Sequence, residues 1–439
     1  MLLGAVGVLL ILLVAAAVFH VFLGWPLLLG VVIFSLCAWA QGSGFREIGG
    51  MLRAGLGKAW IVVQVLIVIG LLTASWITCG TIPYLVRLGA MLIRPRVFLG
   101  CCFWLCAAMS FLLGTSFGTA NTVGIVLITI ARAGGVSIPM TAGAILAGIY
   151  FGDRCSPMSS SLLLLTTVTE TELYDNVKMG LTSSAVPFLL ASGGYLLCSG
   201  ISPLSALSGE LPGLLAEQFN LSPLALLPAA VVFLFCLARR PVKWGMAAGT
   251  GVACVLALTL QGTPPAELLK NLALGFSLPE GHPLHAIIHG GGLASMWRSC
   301  VIVASSCAIA GLVEGLRLTD RFSAAGGERT RPGIYLRTLA SGFVTAAIGC
   351  NQTIAIVLTH ALRQGDYRAL GDRELARDLS FGGTLAPVLI PWCIASYTPI
   401  TQLGVSGVGW LPFAFWIWLM LLWQGVRCLG KRRKPASTA

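Results

Sequence analysis

Charge is what this sequence has least of. Only 10% of its 439 residues are Asp, Glu, Lys or Arg, against 56% hydrophobic, and the mean hydropathy is +0.89. Soluble domains carry roughly 25% charged residues, so a free-standing soluble enzyme is excluded and a polytopic membrane protein is expected. No polar stretch long enough to form a soluble domain interrupts the apolar runs, and one transmembrane domain over 1–439 is the simplest reading. The 14 cysteines lie mostly inside those runs, as at Cys101, Cys102, Cys106, Cys254 and Cys307, and no C-x-x-C spacing proposes a metal or redox centre. They read as packing residues. The first run, Leu2 to Phe22, has no basic segment before it and no obvious cleavage site, which predicts a retained helix instead of a signal peptide. The formal net charge of +12 comes from short juxtamembrane loops and the terminal "KRRK", a positive-inside pattern and not a nucleic-acid surface. A multi-pass protein of the inner (plasma) membrane with a cytoplasmic C-terminus is expected.

What the sequence does have is polarity where lipid should be. "TSFGTANTVG" (115–124) and "YFGDRCSPMSSS" (150–161) carry glycines, hydroxyls, a proline and a carboxylate between apolar flanks. Similar stretches recur in the second half. "AGLGKAW" (54–60) matches "GGLASMW" (291–297), "GTANTVGIVL" (118–127) matches "GCNQTIAIVL" (349–358), and "FGDRCSPM" (151–158) matches "FGGTLAPV" (381–388). The three pairs keep the same order at separations of 237, 231 and 230 positions, which predicts duplication. The approximate halves are 42–200 and 280–430, with N-terminal helices over 1–41 and connecting helices over 201–279. Arg46, Arg53 and Lys58 precede the first "GL" motif, whereas His282, His285 and His289 precede the second, which predicts inverted topology. Broken helices in inverted repeats free backbone carbonyls and helix ends near the midplane, where they can hold an ion.

Asp153 is the central candidate, because an intramembrane carboxylate is costly and marks function by default. Ser156, Ser159, Ser160 and Ser161 would complete an oxygen-rich environment suited to sodium. Arg154 beside it offers the plainer alternative of a structural ion pair. Thr115, Ser116, Thr119, Asn121 and Thr122 supply further oxygens, although hydroxyls also serve local backbone bonds and the Gly114/Gly118 spacing suits close helix packing. Asn351, Gln352 and Thr353 are expected on the other side of a cavity, with Thr384 in "GTLAPVLIPW", where Pro387 and Pro391 should break the helix. Glu314 is a possible second proton carrier or a helix-end partner of Arg317, while Glu170, Glu172 and Asp175 read as solvated surface. His282, His285 and His289 have i, i+3, i+7 spacing that can bind zinc on a helix. Pro283 and the lack of an H-E-x-x-H acid favour interfacial or pH-sensing histidines.

Together "GTSFGTANTVG", "AGAILAGIYFGDRCSPMSSS", "GGLASMW" with "GLVEGL", and "GTLAPVLIPW" resemble the NhaC family of sodium/proton antiporters, which also includes sodium-coupled malate/lactate exchangers. The resemblance spans most of the chain and implies an all-α ion-transporter fold of two inverted repeats with hairpins and broken helices. It implies that Thr115, Ser116, Gly118 and Thr119, with Asp153, Ser156, Pro157 and Ser159, form the ion site, and that Gly291 to Met296 and Glu314 open the second half. The chain departs from the family at Ser160, Ser380 and Phe381, where acids are typical, and at Cys393, where Asn is typical. Asp153 would then stand nearly alone in the membrane.

The expected function is secondary transport by alternating access, with sodium and protons competing for Asp153. Exchange or symport of a small organic anion or amino acid is the alternative, since lost carboxylates suit an anionic substrate. A membrane metalloenzyme and a passive channel remain as other classes. No cofactor beyond sodium, and a possible homodimer, complete the expectation.

Overall fold

The computed structural model describes residues 2–19, 21–204, 210–238, 240, 242–282, 284–285, 288–316 and 330–430. Pro283, Arg317 and the 431–434 run lie outside them. Apart from one antiparallel bridge between Phe276 and Gly290, the described residues form helices, turns and loops, so the protein is all-α and polytopic.

The chain opens with α1 (Leu2–Val18), α2 (Gly24–Ala40), the long α3 (Phe45–Thr78) and α4 (Thr81–Leu92). Next come α5 (Phe98–Leu113), α6 (Ser116–Thr119) continuing through a π turn into α7 (Ile125–Ala133), α8 (Ile138–Cys155), α9 (Ser160–Val168) and α10 (Leu173–Ile201). After α11 (Glu210–Gln218), α12 (Leu227–Leu237), α13 (Val242–Thr259) and α14 (Pro265–Leu274), the second half begins at α15 (Leu293–Gly315). It runs on through α16 (Arg331–Gly349), α17 (Gln352–Arg363), α18 (Asp372–Leu379), α19 (Ile394–Gln402) and α20 (Phe415–Gly430). Five described spans are long and apolar enough to cross a bilayer: α3, Pro95–Leu113, Ser116–Ala133, α10 and α15. A sixth is bent by 44° where Asp372–Leu389 gives way to α19.

Small residues set how closely the helices approach. α3 and α15 pack closely, each "GL" motif against the other helix and not against the other motif: a Cβ on Gly55 would stand 2.2 Å from the Cys307 carbonyl, and Gly292 donates to Gly70 O at 2.7 Å. α5 and α8 touch through Gly148, against Phe103 O, and Gly152, against Ser110. From Thr141 to Cys155 α8 is buried on every face except at Phe151, so it has no polar stripe and works as the central post. A Cβ at Gly152 would lie 2.2 Å from the Ser110 carbonyl carbon and 2.3 Å from Phe111 N, both backbone atoms that cannot swing away. Gly152→Val is therefore expected to cost about 3 kcal/mol or more by overpacking, read as a lower thermal midpoint than wild type in detergent.

Four helices break near the centre, and the breaks cross in pairs. α5 ends at Gly114 in the left-handed region (φ 65°), and Thr115 starts α6. α8 ends at Ser156, and Ser159 caps α9. Gly114 passes so close to the second break that an added Cβ would meet Met158 Cβ at 2.5 Å. In the second half α16 ends at Cys350 (φ 49°), Asn351 caps α17, and Cys350 O accepts from Ile394 N at 2.8 Å where α19 begins. Trp392 Nε1 adds a bond to Ala347 O at 3.0 Å. Pro387 and Pro391 flank the fourth break, as their missing N–H groups and ring clashes require. Gly114 is thus a break residue and not, with Gly118, a helix-packing pair. Nor do the sequence-paired Gly118 and Gly349 occupy like positions: Gly118 follows its break, Gly349 precedes its own.

Candidate functional site

Asp153 lies in the last turn of α8, 3% exposed, beside the crossing of the first two breaks. Ser159 Oγ donates to its Oδ1 at 2.8 Å while accepting from Leu162 N as the cap of α9. Ser161 Oγ reaches Oδ2 at 3.1 Å, and Gln352 Nε2 reaches the same oxygen at 3.2 Å. Gln352 begins α17, so the carboxylate is held jointly by both halves of the chain. The second Gln352 N–H goes to Thr384 O at 3.0 Å, on the helix of the fourth break. Among the described residues no Lys or Arg stands within ion-pair distance of Asp153.

Ser161 has one hydroxyl proton and two acceptors, since Gln352 Oε1 also lies 3.1 Å from it. With Asp153 ionised, the hydroxyl serves one of them and leaves the other contact without a proton. With Asp153 protonated, its O–H donates to Ser161, Ser161 donates to Gln352, and every contact is filled. A cation set among these oxygens meets the same deficit by accepting lone pairs in place of giving a proton. The cluster therefore fits either a proton or a hard cation.

One turn before Asp153, Tyr150 donates to Ala395 O at 2.5 Å, and the Ser116 hydroxyl bonds its oxygen. This ties the first, second and fourth breaks together. Spacing alone contained the signal: Tyr150 and Asp153 are i, i+3 neighbours on one helix.

Several expected ligands lie elsewhere. Ser160 is exposed, and Ser161 takes the place assigned to it, because with Ser159 at the cap the next inward position falls two residues on. Ser156 accepts from Met158 N. Thr115 caps α6 by accepting from Gly118 N, Thr119 bonds Thr115 O and Thr122 bonds Gly118 O, so all three hydroxyls serve local backbone. Asn351 accepts from Thr353 N as a cap. Asn121 bonds Phe117 O and Gln402, in a separate cavity. Thr384 contributes its carbonyl.

Arg154 does not pair with Asp153. Its Nη1 donates to Gly180 O, Ser183 Oγ and Ser184 Oγ, its Nη2 to Ser380 Oγ at 3.0 Å, and the guanidinium lies 4.6 Å over Phe381. Where the family resemblance implies acids, this chain offers a buried cation a hydroxyl and a ring face. Glu314 pairs with Lys58 at 2.7 Å, both well exposed, which makes it a surface link between α15 and α3. Glu170, Glu172 and Asp175 are exposed, with Asp175 3.9 Å from Arg373. His282, His285 and His289 lie in turns and loop, where His282 accepts from Leu284 N and His285 meets Leu278 O, and no group of three metal-ligating side chains forms among the described residues.

Asp153 is not the lone buried acid. Asp378 in α18 is fully buried, held by Arg331 at 2.6 and 3.0 Å, Tyr367 at 2.7 Å and Gln424 at 2.9 Å. Arg331 also reaches Glu374 at 2.8 Å.

The profile of the Na+/H+ antiporter family matches residues 148–425, nearly two thirds of the chain. The chain belongs to that family. The antiporter is 28% identical over 428 residues to the malate-2H+/Na+-lactate antiporter of Bacillus subtilis, covering 93% of this chain and 89% of that one. It is 26% identical over 406 residues to the Na+/H+ antiporter NhaC of Alkalihalophilus pseudofirmus, covering 90% and 87%. It is 28% identical over 406 residues to the arginine/ornithine antiporter ArcD of Halobacterium salinarum, covering 89% and 83%. The antiporter is accordingly a multi-pass membrane transporter and not an enzyme, and its family implies sodium as a coupled ion.

Proposed function

We propose that the chain exchanges sodium for protons by alternating access, with Asp153 as the group for which both ions compete. The observation that carries this reading is the single Ser161 proton shared between Asp153 and Gln352, 3.1 Å from each. Sodium would take the Asp153 carboxylate, the Ser159 and Ser161 hydroxyls, Gln352 Oε1 and Thr384 O, all hard oxygen donors. A ligand set drawn from both halves changes whenever one half moves against the other, which is what alternating access needs. The crossed pairs of breaks support halves over 42–200 and 280–430, and the positive-inside bias supports a plasma-membrane protein with a cytoplasmic C-terminus. In proteoliposomes carrying a pH-sensitive dye, sodium or lithium is expected to release protons and potassium is not. Absence of flux with every cation, from protein shown to be folded, would overturn the cation reading.

Exchange of a small organic solute is the second reading. It is favoured by the similarity to the malate/lactate and arginine/ornithine antiporters, which cover as much of the chain as the NhaC relative does.

A further inference from the structure

A second polar site lies away from Asp153. A cavity of about 180 Å³ is lined by Asn121, Thr129, Arg132, His289, Ser295 and Gln402, among others, and no Asp or Glu lines it among the described residues. Asn121 is 1% exposed and donates through Nδ2 to Phe117 O and to Gln402 Oε1, both at 2.7 Å. Its Oδ1 is buried without a partner, and so is Nε2 of Gln402. Two adjoining amides therefore hold one unmet acceptor and one unmet donor, an arrangement that costs on the order of 1–3 kcal/mol per group unless something fills it. Arg132 gives Nη2 to the Leu403 and Gly404 carbonyls at 2.6 and 2.9 Å, leaving Nη1 and Nε with no protein acceptor among the described residues. His289, outside the membrane-spanning helices, is held below its ordinary imidazole value by burial and by the Arg132 guanidinium, so it adds no competing positive charge near neutral pH. Among the described residues the positive Arg132 is then the one fixed charge lining the cavity. Its volume far exceeds the roughly 15 Å³ that one water needs.

We propose that this cavity binds a small carboxylate that bears a hydroxyl or ammonium group on the carbon next to the carboxyl. The carboxylate meets the Arg132 guanidinium and Gln402 Nε2, and the neighbouring O–H or N–H donates to Asn121 Oδ1. Charge sets the anionic end, and the unmet acceptor selects for the adjacent donor. A plain fatty acid leaves Asn121 unpaired, and an ester leaves Arg132 unpaired.

The site does not depend on the cation reading, since it shares no residue with the Asp153 cluster. Full-length protein in lipid nanodiscs is titrated calorimetrically with L-lactate, L-malate, L-alanine and L-arginine, and with propionate and methyl L-lactate as the analogues lacking the donor or the charge. At least one hydroxy or amino acid is expected to bind, with the two analogues at least about tenfold weaker, and which of the two classes binds tells them apart. Arg132→Gln and Asn121→Leu, each checked for an unchanged thermal midpoint, are expected to weaken binding by about tenfold or more. Asp153→Asn is expected to retain binding. No binding of any of the four acids to folded wild-type protein overturns the proposal. Binding that survives both cavity variants, or that only Asp153→Asn removes, overturns it as well, whatever the proton-flux assay reports.

Discussion

Asp153→Asn is expected to abolish sodium-driven proton movement, by about 100-fold or more, while leaving the protein folded. The amide fills the same volume, and Asn Oδ1 can still accept from Ser159 at the position where the carboxylate does, 2.8 Å away. It cannot release a proton when a cation arrives, nor supply the negative charge that makes a dry site attractive to sodium. The other amide atom becomes a donor that Ser161 can accept, as in the protonated form, but it also faces the Gln352 Nε2 donor, so Gln352 must turn its amide to keep the cluster bonded. Dye dequenching in proteoliposomes measures the flux, and size-exclusion behaviour with an unshifted thermal midpoint checks the fold. Flux at the wild-type rate in this variant would remove Asp153 from the ion site. Because the fold is expected to survive, lost flux separates chemistry from stability.

The largest stability effect is expected at a residue that touches no ion. Arg331→Met removes the cation from Asp378 and Glu374, leaving a fully buried carboxylate with Tyr367 and Gln424 as its remaining side-chain donors among the described residues. Removing one partner of a buried ion pair costs about 3–5 kcal/mol, because the remaining charge stays desolvated. The double variant Arg331→Met with Asp378→Asn is expected to recover part of that loss, since no bare charge remains and the Tyr367 hydroxyl keeps an amide oxygen to which it can donate. Thermal midpoints of the three proteins in one detergent decide it. A double variant no more stable than the single would show that the cost lies in packing and not in charge.

The class of fold and the places where helices fail were legible, because both follow from local composition. Apolar runs of spanning length have few alternatives in a bilayer. Gly, Pro and hydroxyl clusters mark the breaks where backbone groups must find other partners. What was not legible is register. Whether Ser160 or Ser161 faces Asp153 turns on which serine caps α9, a one-residue matter that changes the side of the helix. Thr115 and Thr119 were read as ligands because a hydroxyl looks the same whether it serves an ion or a neighbouring carbonyl. Asp378 was missed for a different reason: "DRELARDL" has the charge density of a solvated helix, and its burial depends on Arg331 and Gln424, each more than 40 positions away in sequence. His282, His285 and His289 look aligned only if the segment is helical, and its described residues form turns and loop instead.

The crossed breaks also fix the electrical character of the centre. Each break directs one helix C-terminus and one helix N-terminus toward the same region: α5 with α6, α8 with α9, α16 with α17, and the helix ending at Leu389 with α19. Aligned peptide dipoles place about half an elementary charge at each such end, positive at N-termini and negative at C-termini. Each break contributes one end of each sign, so the four breaks taken together add little net backbone charge. On the proposed reading, one proton traded for one monovalent cation at Asp153 gives two loaded states of equal net charge. One-for-one exchange through this carboxylate alone would be electroneutral. Any net charge that this antiporter moves per cycle must therefore enter through a second charged group or a charged solute carried alongside.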